Sequence, residues 1–173
     1  ERQCTRLESL LNDFLRLTRL NRLELVAGSL NALLEQVLDF FEADAQHRNV
    51  EIVRYLDGDL PIIKMDKQTL QAALQNMVKN SMEAMSDGGQ LVVRTRMMRS
   101  GVAVDLIDTG QGIGSSTLIK MFEPFYTTKD SGSGLGLPMA KKVIEAHGGV
   151  INVQSEEGRG TQFTIEFPIP KRL

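Results

Sequence analysis

Phe122-Glu-Pro-Phe-Tyr-Thr-Thr-Lys129, continuing through Asp130 and Ser131 into Gly132-Ser-Gly-Leu-Gly-Leu137, is the stretch on which the fold turns. Three glycines spaced by two and followed at once by a helical pattern make a loop whose amide N–H groups can converge on phosphate. The helix N-terminus adds its dipole. Lys129 brings a positive charge to the same place. Serine-glycine runs are usually flexible linkers. This one lies inside a domain, between a Phe-Pro-Phe anchor and a helix, and reads as a lid over a bound ligand.

Working outward, Asp108-Thr-Gly-Gln-Gly-Ile113 follows directly on the apolar run Val102 to Ile107. A carboxylate at a strand end is well placed to accept a hydrogen bond from an exocyclic amine, and Gly110 and Gly112 let the backbone pass close to a flat ring. Further upstream, a helix is expected over 66–85, with Asp66 as its N-cap and a stop at Ser86-Asp87-Gly88-Gly89. Asn76 and Asn80 share one face of it, with Glu83 three residues on. Two carboxamides and a carboxylate suit a hydrated Mg²⁺, which takes oxygen ligands and keeps several waters. Leu70, Ala73, Leu74, Met77, Val78 and Ala84 supply the apolar side. Taken singly, each motif has a bland reading as a polar face, an acidic turn or a linker.

The remaining elements follow from periodicity. Leu7, Leu10, Leu11, Phe14 and Leu17 predict an amphipathic helix over about 1–20, roughly 30 Å long. It is either a core helix or, the preferred reading, half of a helical hairpin. Asn21 to Ser29 reads as a connector with a short strand at Leu23 to Val26. A second helix is expected from Leu30 to near His47. Val50, Ile52 and Tyr55 alternate like a strand before the turn Asp57-Gly58-Asp59, and Ile62 to Met65 forms another. Strands near 90–97 and 102–107, a short helix at 116–121, a helix at 137–147 ending on Gly148-Gly149, and strands at 150–154 and 162–167 complete the chain. Helices and strands do not alternate regularly, so the expected class is an α+β two-layer sandwich.

Bulk properties bound the function. The 173 residues are 42% apolar and 24% charged, with a net charge of -2. Such a charge gives no overall attraction to nucleic acid or to an anionic membrane. Cys4 is the sole cysteine, which suits a reducing, cytoplasmic setting. No apolar run approaches the roughly 20 residues needed to span a bilayer. The chain opens inside a helical pattern and reads as a fragment, with upstream sensory or membrane parts left open. No G-x-x-x-x-G-K-[ST] occurs. Leu137 lies three beyond Gly134 and Ser115 three beyond Gly112, so dinucleotide and protein-kinase glycine loops are excluded as well.

In their order, Asn76-x-x-x-Asn80, Asp108-x-Gly110-x-Gly112, Phe122-Glu-Pro-Phe125, Gly132-x-Gly134-x-Gly136 and Gly158-x-Gly160-Thr161 resemble the N, G1, F, G2 and G3 boxes of sensor histidine kinases. The match covers about Leu30 to Pro168 and is nearest in wording to the nitrogen-regulation and sporulation type. The resemblance implies the Bergerat (GHKL) fold, a mixed sheet covered on one face by helices, with a catalytic domain over 23–173. It implies an N-terminal segment 1–22 that ends a dimerisation and phosphotransfer hairpin. It implies ATP and Mg²⁺ as cofactors in a two-component phosphorelay.

By position, Asp108 would take the adenine amine, and Asn80 would hold the metal with Asn76 in support and Glu83 beyond it. Gly110, Gly112, Ile113, Ala84 and Thr161 would surround the base. Gly132, Gly134, Leu135, Gly136 and Leu137 would contact phosphate, with Tyr126, Thr127 and Lys129 where the lid meets the nucleotide. Asn76, Asn80 and Lys129 would carry the transfer. The implied partners are a hairpin bearing the acceptor histidine, a response-regulator receiver domain and a second copy of the parent chain. Neither His47 nor His147 is followed by an acidic residue, so both are expected to be structural.

Three other functions are compatible with parts of this pattern. Hydrolysing ATPases of the same fold carry a glutamate where Asn76 stands, to activate water; an anti-sigma-type serine kinase is a nearer relative, opposed by the leading helix. A non-enzymatic scaffold would have lost box residues, and here they are intact.

Overall fold

The computed structural model describes residues 2–128 and 134–169. Lys129 and Gly132, both expected to touch nucleotide, lie outside the described residues.

A helix α1 (Arg2–Arg19) leads through a 3-10 turn at Leu20–Arg22 into a short strand β1 (Val26–Gly28). Then follow α2 (Leu30–His47), β2 (Val50–Tyr55), β3 (Ile63–Met65) and α3 (Lys67–Ala84). The strands β4 (Gly89–Met98) and β5 (Gly101–Asp108) precede a short α4 (Ser115–Lys120), and α5 (Gly136–Ala146), β6 (Val150–Glu156) and β7 (Gly160–Pro168) close the domain. The five-stranded sheet has the order β2-β4-β5-β7-β6. Only the β2–β4 pair is parallel. The expected α+β class, a mixed sheet with helices against one face, is the observed one.

The helices begin where local chemistry permits. Ser29 Oγ accepts from the Ala32 amide at 3.2 Å and Asp66 Oδ1 from the Thr69 amide at 3.1 Å, each satisfying an amide that the helix cannot. Leu33, Leu34, Val37 and Leu38 of α2, Leu70, Leu74, Met77 and Val78 of α3, and Ala140, Val143 and Ile144 of α5 are all buried. They pack with Leu91 and Val93, Val102, Val104 and Leu106, and Phe163, Ile165 and Phe167 from alternate positions of β4, β5 and β7. Alternation sends the other side chains to the far face. There Asp105, fully buried on the central strand, accepts from Arg94 Nη2 at 2.8 Å, Arg96 Nε at 3.0 Å and Thr164 Oγ1 at 2.8 Å. Burial alone would raise the Asp105 carboxyl, but the hydrogen bonds from Arg96, Thr164 and Arg94 outweigh it and hold the group below the usual carboxylate range.

Two local expectations shift. The connector strand is Val26–Gly28, later than Leu23–Val26, because it pairs antiparallel with β3, opposing Val26 to Met65 and Gly28 to Ile63. On β2 the third inward position is Arg54, not Tyr55. Its guanidinium binds Glu35, Asp39 and Glu42 along α2, tying the edge strand to that helix, while Tyr55 is exposed. Long charged side chains can serve an inward site when their heads find partners at the rim.

Candidate functional site

A cleft of about 590 Å³ opens between α3, the loop after β5, the start of α5 and the polar face of α1. That is within the ~300–1,000 Å³ typical of small-molecule sites. Asp108 closes one end. It is 4% exposed, and its Oδ1 accepts from the Gly110 amide at 2.9 Å. Burial pushes the Asp108 carboxyl up, and the neighbouring donors Gly110 N–H, Ser81 hydroxyl and Thr161 N–H offset part of the rise. The Ser81 hydroxyl lies close enough to influence that carboxylate but makes no hydrogen bond of ordinary geometry. A buried carboxylate with spare acceptor capacity and an underused hydroxyl beside it is suited to a ligand that donates.

The loop 108–113 is stitched on both sides. Gln111 N–H donates to Ala84 O at 3.0 Å and Gly158 N–H to Gln111 O at 2.7 Å. Ile113 N–H donates to Ser155 Oγ at 2.8 Å, and Ser155 Oγ in turn donates to Gly160 O at 2.8 Å. With the serine proton committed, the hydrogen bond at 2.8 Å between Ser155 and Thr161 has the threonine hydroxyl as donor. Thr161 pairs across the sheet with Asp108.

The glycines here are required by the protein's own backbone before any ring is considered. A Cβ on Gly112, at φ +70°, would stand 2.1 Å from Glu156 O, and one on Gly110 would stand 2.7 Å from Ala84 O. Gly110 is buried, packs against Ala84 of α3 and is not among the residues lining the cleft. Gly112, Ile113, Ala84 and Thr161 do line it.

Asn76, Asn80 and Glu83 line the cleft along one face of α3, as their spacing requires. Opposite them begins α5, whose N-terminus has no side-chain cap. A Cβ on Gly136 would come within 3.9 Å of Asn76 Cγ, so a carboxamide of one helix adjoins the first turn of the other. Gly134, Gly136 and Leu137 line the cleft, whereas Leu135 is buried beneath it as the N-cap. Phe125 and Gly134 meet backbone to backbone. Phe125 N–H donates to Gly134 O at 3.0 Å, both residues have positive φ, and a Cβ on Gly134 would lie 2.4 Å from the Phe125 carbonyl carbon. Lys141 lies 5.2 Å over the Phe122 ring, anchoring that end to α5. Tyr126 and Thr127 face the cleft, with Tyr126 Oη 3.4 Å from Thr117 Oγ1.

Residues 65–171 match the family described as histidine kinase-, DNA gyrase B-, and HSP90-like ATPase. The chain belongs to this family. Within it, the ATPase domain is of the sensor histidine kinase kind. It is 33% identical over 168 residues to sensor histidine kinase ZraS of Escherichia coli K12, covering 97% of this chain and 36% of that protein. It is 36% identical over 168 residues to sporulation kinase E of Bacillus subtilis 168, covering 96% and 23%. The chain thus spans about a quarter to a third of these relatives. The nucleotide-free catalytic domain of histidine kinase ThkA superposes with a TM-score of 0.77 at 32% identity, over 84% of this chain and 96% of that one. Full-length ShkA in complex with AMPPNP superposes with a TM-score of 0.83 at 30% identity, over 94% and 35%.

Further residues of the ATPase cleft were not anticipated: Ser81, Lys79, Met121 and Phe163, and Glu8, Asn12, Asp13 and Arg16 of α1. The α1 residues fall on the helix face opposite Leu7, Leu11 and Phe14, which are 57–70% exposed. That polar periodicity was legible. The contribution of Ser81 was not, since it depends on the approach of α3 to β5. No helix of the described residues is long and apolar enough to cross a membrane.

Proposed function

We propose that this domain binds Mg²⁺-ATP and transfers its γ-phosphoryl group to a histidine on a separate helical hairpin, as the catalytic part of a two-component sensor kinase. One observation carries the reading: a single cleft brings together a buried carboxylate and, beside helical carboxamides, a helix N-terminus with no side-chain cap among the described residues. The first suits an adenine amine and the second a polyphosphate.

In this reading Asp108 accepts from the adenine amine. Thr161, Ile113, Gly112 and Ala84 border the base. Backbone amides from Gly132 to Leu137, together with Lys129, Tyr126 and Thr127, surround the phosphates. Asn80 supplies a carboxamide oxygen to Mg²⁺, with Asn76 alongside and Glu83 farther out. Among the described residues no group of three or more His, Cys, Asp or Glu could hold a metal. That fits an ion held by one protein oxygen, phosphates and water rather than by a protein cage. The ion would neutralise charge on the phosphates. The chain's own residues then orient the terminal phosphate for in-line attack by a nucleophile from outside the domain.

An ATP-hydrolysing role is less well supported, because the residue four before Asn80 is Asn76, which cannot act as a base toward water. His147 is a poor phosphoacceptor, since both its ring nitrogens are hydrogen-bonded. We read α1 and the 3-10 turn, residues 1–22, as the end of the hairpin. Its exposed Leu7, Leu11 and Phe14 await the partner helix and, in the parent protein, a second copy. A response-regulator receiver domain would take the phosphoryl group onward, on the cytoplasmic side.

The test is melting with and without millimolar Mg²⁺-ATP, followed by supply of the parent hairpin in trans. Nucleotide should raise the midpoint, and label from γ-phosphate should appear on the hairpin and not on this chain. Label on His47 or His147, or no thermal shift, would overturn the reading.

A further inference from the structure

The stretch between α1 and the catalytic core is held by the β1–β3 ladder and, nearer to α1, by Asp66. Asp66 follows β3, caps α3 and receives the connector, and each of its polar groups has a separate task. Its Oδ1 accepts from Thr69 N–H at 3.1 Å and from Thr69 Oγ1 at 2.9 Å, closing the first turn of α3. Its Oδ2 accepts from the Glu24 amide at 3.1 Å, adding one more rung to the β1–β3 ladder just where the chain leaves the 3-10 turn. Its own amide donates to His147 Nε2 at 3.0 Å. An amide N–H can only donate, so Nε2 is the unprotonated nitrogen, and Nδ1 carries the hydrogen that it donates to Val143 O at 2.7 Å. The imidazole also sits edge-on to Phe167, with centroids 6.4 Å apart.

Three elements therefore meet at one residue: its carboxylate holds the connector and the start of the helix that presents Asn76 and Asn80, and its backbone amide holds the end of the helix whose first turn borders the same cleft. We propose that Asp66, steadied by His147, is a positioning residue that sets the direction of the connector, and so of α1 and the hairpin, relative to the two nucleotide-facing helices. The inference rests on the phosphotransfer reading above. Binding of ATP needs only the cleft. Transfer needs the acceptor held at a fixed distance and angle, and small misplacements of reacting groups are costly to rate.

The chemistry allows a selective cut. In Asp66→Asn the amide oxygen still caps α3, because Asn is as good an N-cap as Asp. Its NH₂ then meets the Glu24 N–H donor to donor. Asp66→Ser makes the same cut by omission, retaining the cap without a second acceptor. In the full-length kinase, both variants should keep ATP affinity within about twofold. Amide exchange at Glu24 should accelerate about tenfold, the loss expected for one hydrogen bond to a charged acceptor. The turnover number for phosphorylation of the acceptor histidine should fall about tenfold with KM for ATP unmoved. Unchanged exchange at Glu24 overturns the inference, as does faster exchange with an unchanged or higher turnover number. A parent kinase that binds no ATP would instead defeat the functional reading, and the exchange comparison would still test the joint.

Discussion

Replacing Asp108 by Asn should separate two quantities that usually fall together. The native carboxylate is 4% exposed, and burial pushes its titration upward against the donors Gly110, Ser81 and Thr161. A raised value means the charged form is disfavoured by folding, so removal of the charge should leave the ligand-free melting midpoint equal or higher. In the variant the amide oxygen can still accept from Gly110 N–H, now 2.9 Å from Oδ1. That leaves the NH₂ group toward the cleft, where it would meet the adenine amine as donor against donor. A hydrogen bond to a charged acceptor contributes about 1.5–3 kcal/mol, so ATP should bind roughly tenfold to a hundredfold more weakly. Inosine triphosphate carries an acceptor in place of the amine and should lose little or gain, which narrows or reverses the purine preference. Calorimetric titration of both nucleotides, with melting of the ligand-free proteins, reads all three numbers. An ATP affinity within twofold of the parent removes Asp108 from base recognition. A collapsed melting midpoint makes its role structural.

Other outcomes follow from the same geometry. Because the Asp108 carboxyl titrates above the usual range, ATP affinity should begin to fall at a higher pH than an ordinary carboxylate would allow. The stability penalty of its charge is absent below the unfolded pKa and develops as pH rises through the folded one; an acid limb that is identical in Asp108→Asn would refute this. Asp105 has the opposite sign. Its folded pKa is lowered, so its contribution is present above the unfolded value near pH 4 and is lost as pH falls through the folded value; melting of Asp105→Asn should be less sensitive to acid over that window. Gly112→Ala should lower the melting midpoint by several degrees, since the left-handed backbone alone costs roughly 1–2 kcal/mol and its Cβ would meet Glu156 O at 2.1 Å. An unchanged midpoint would show that the turn after β6 can yield. Asn80→Ala should abolish the gain in ATP affinity from Mg²⁺ while leaving affinity in chelator unchanged, and equal Mg²⁺ dependence in the two proteins would exclude Asn80 as a ligand.

What could be read from the chain alone was whatever short-range chemistry governs. Asp66 announces a helix start because a side-chain oxygen and an amide three residues on are neighbours by covalent geometry. Asn76 and Asn80 share a face because a helix has 3.6 residues per turn. The ordered glycine motifs named the ATPase family before any contact was known. Tertiary structure alone decided which distant backbones collide and which charges are buried. Gly112 is held by Glu156, Gly110 by Ala84 and Gly134 by Phe125. Arg54 takes an inward position because α2 lines up three carboxylates for it. Asp105 is buried because two arginines from the neighbouring strand cover it. The connector strand found its register on β3, and its last rung on Asp66, 42 residues away in sequence. Propensity and capping act over one turn of chain, whereas these pairings depend on how the layers pack.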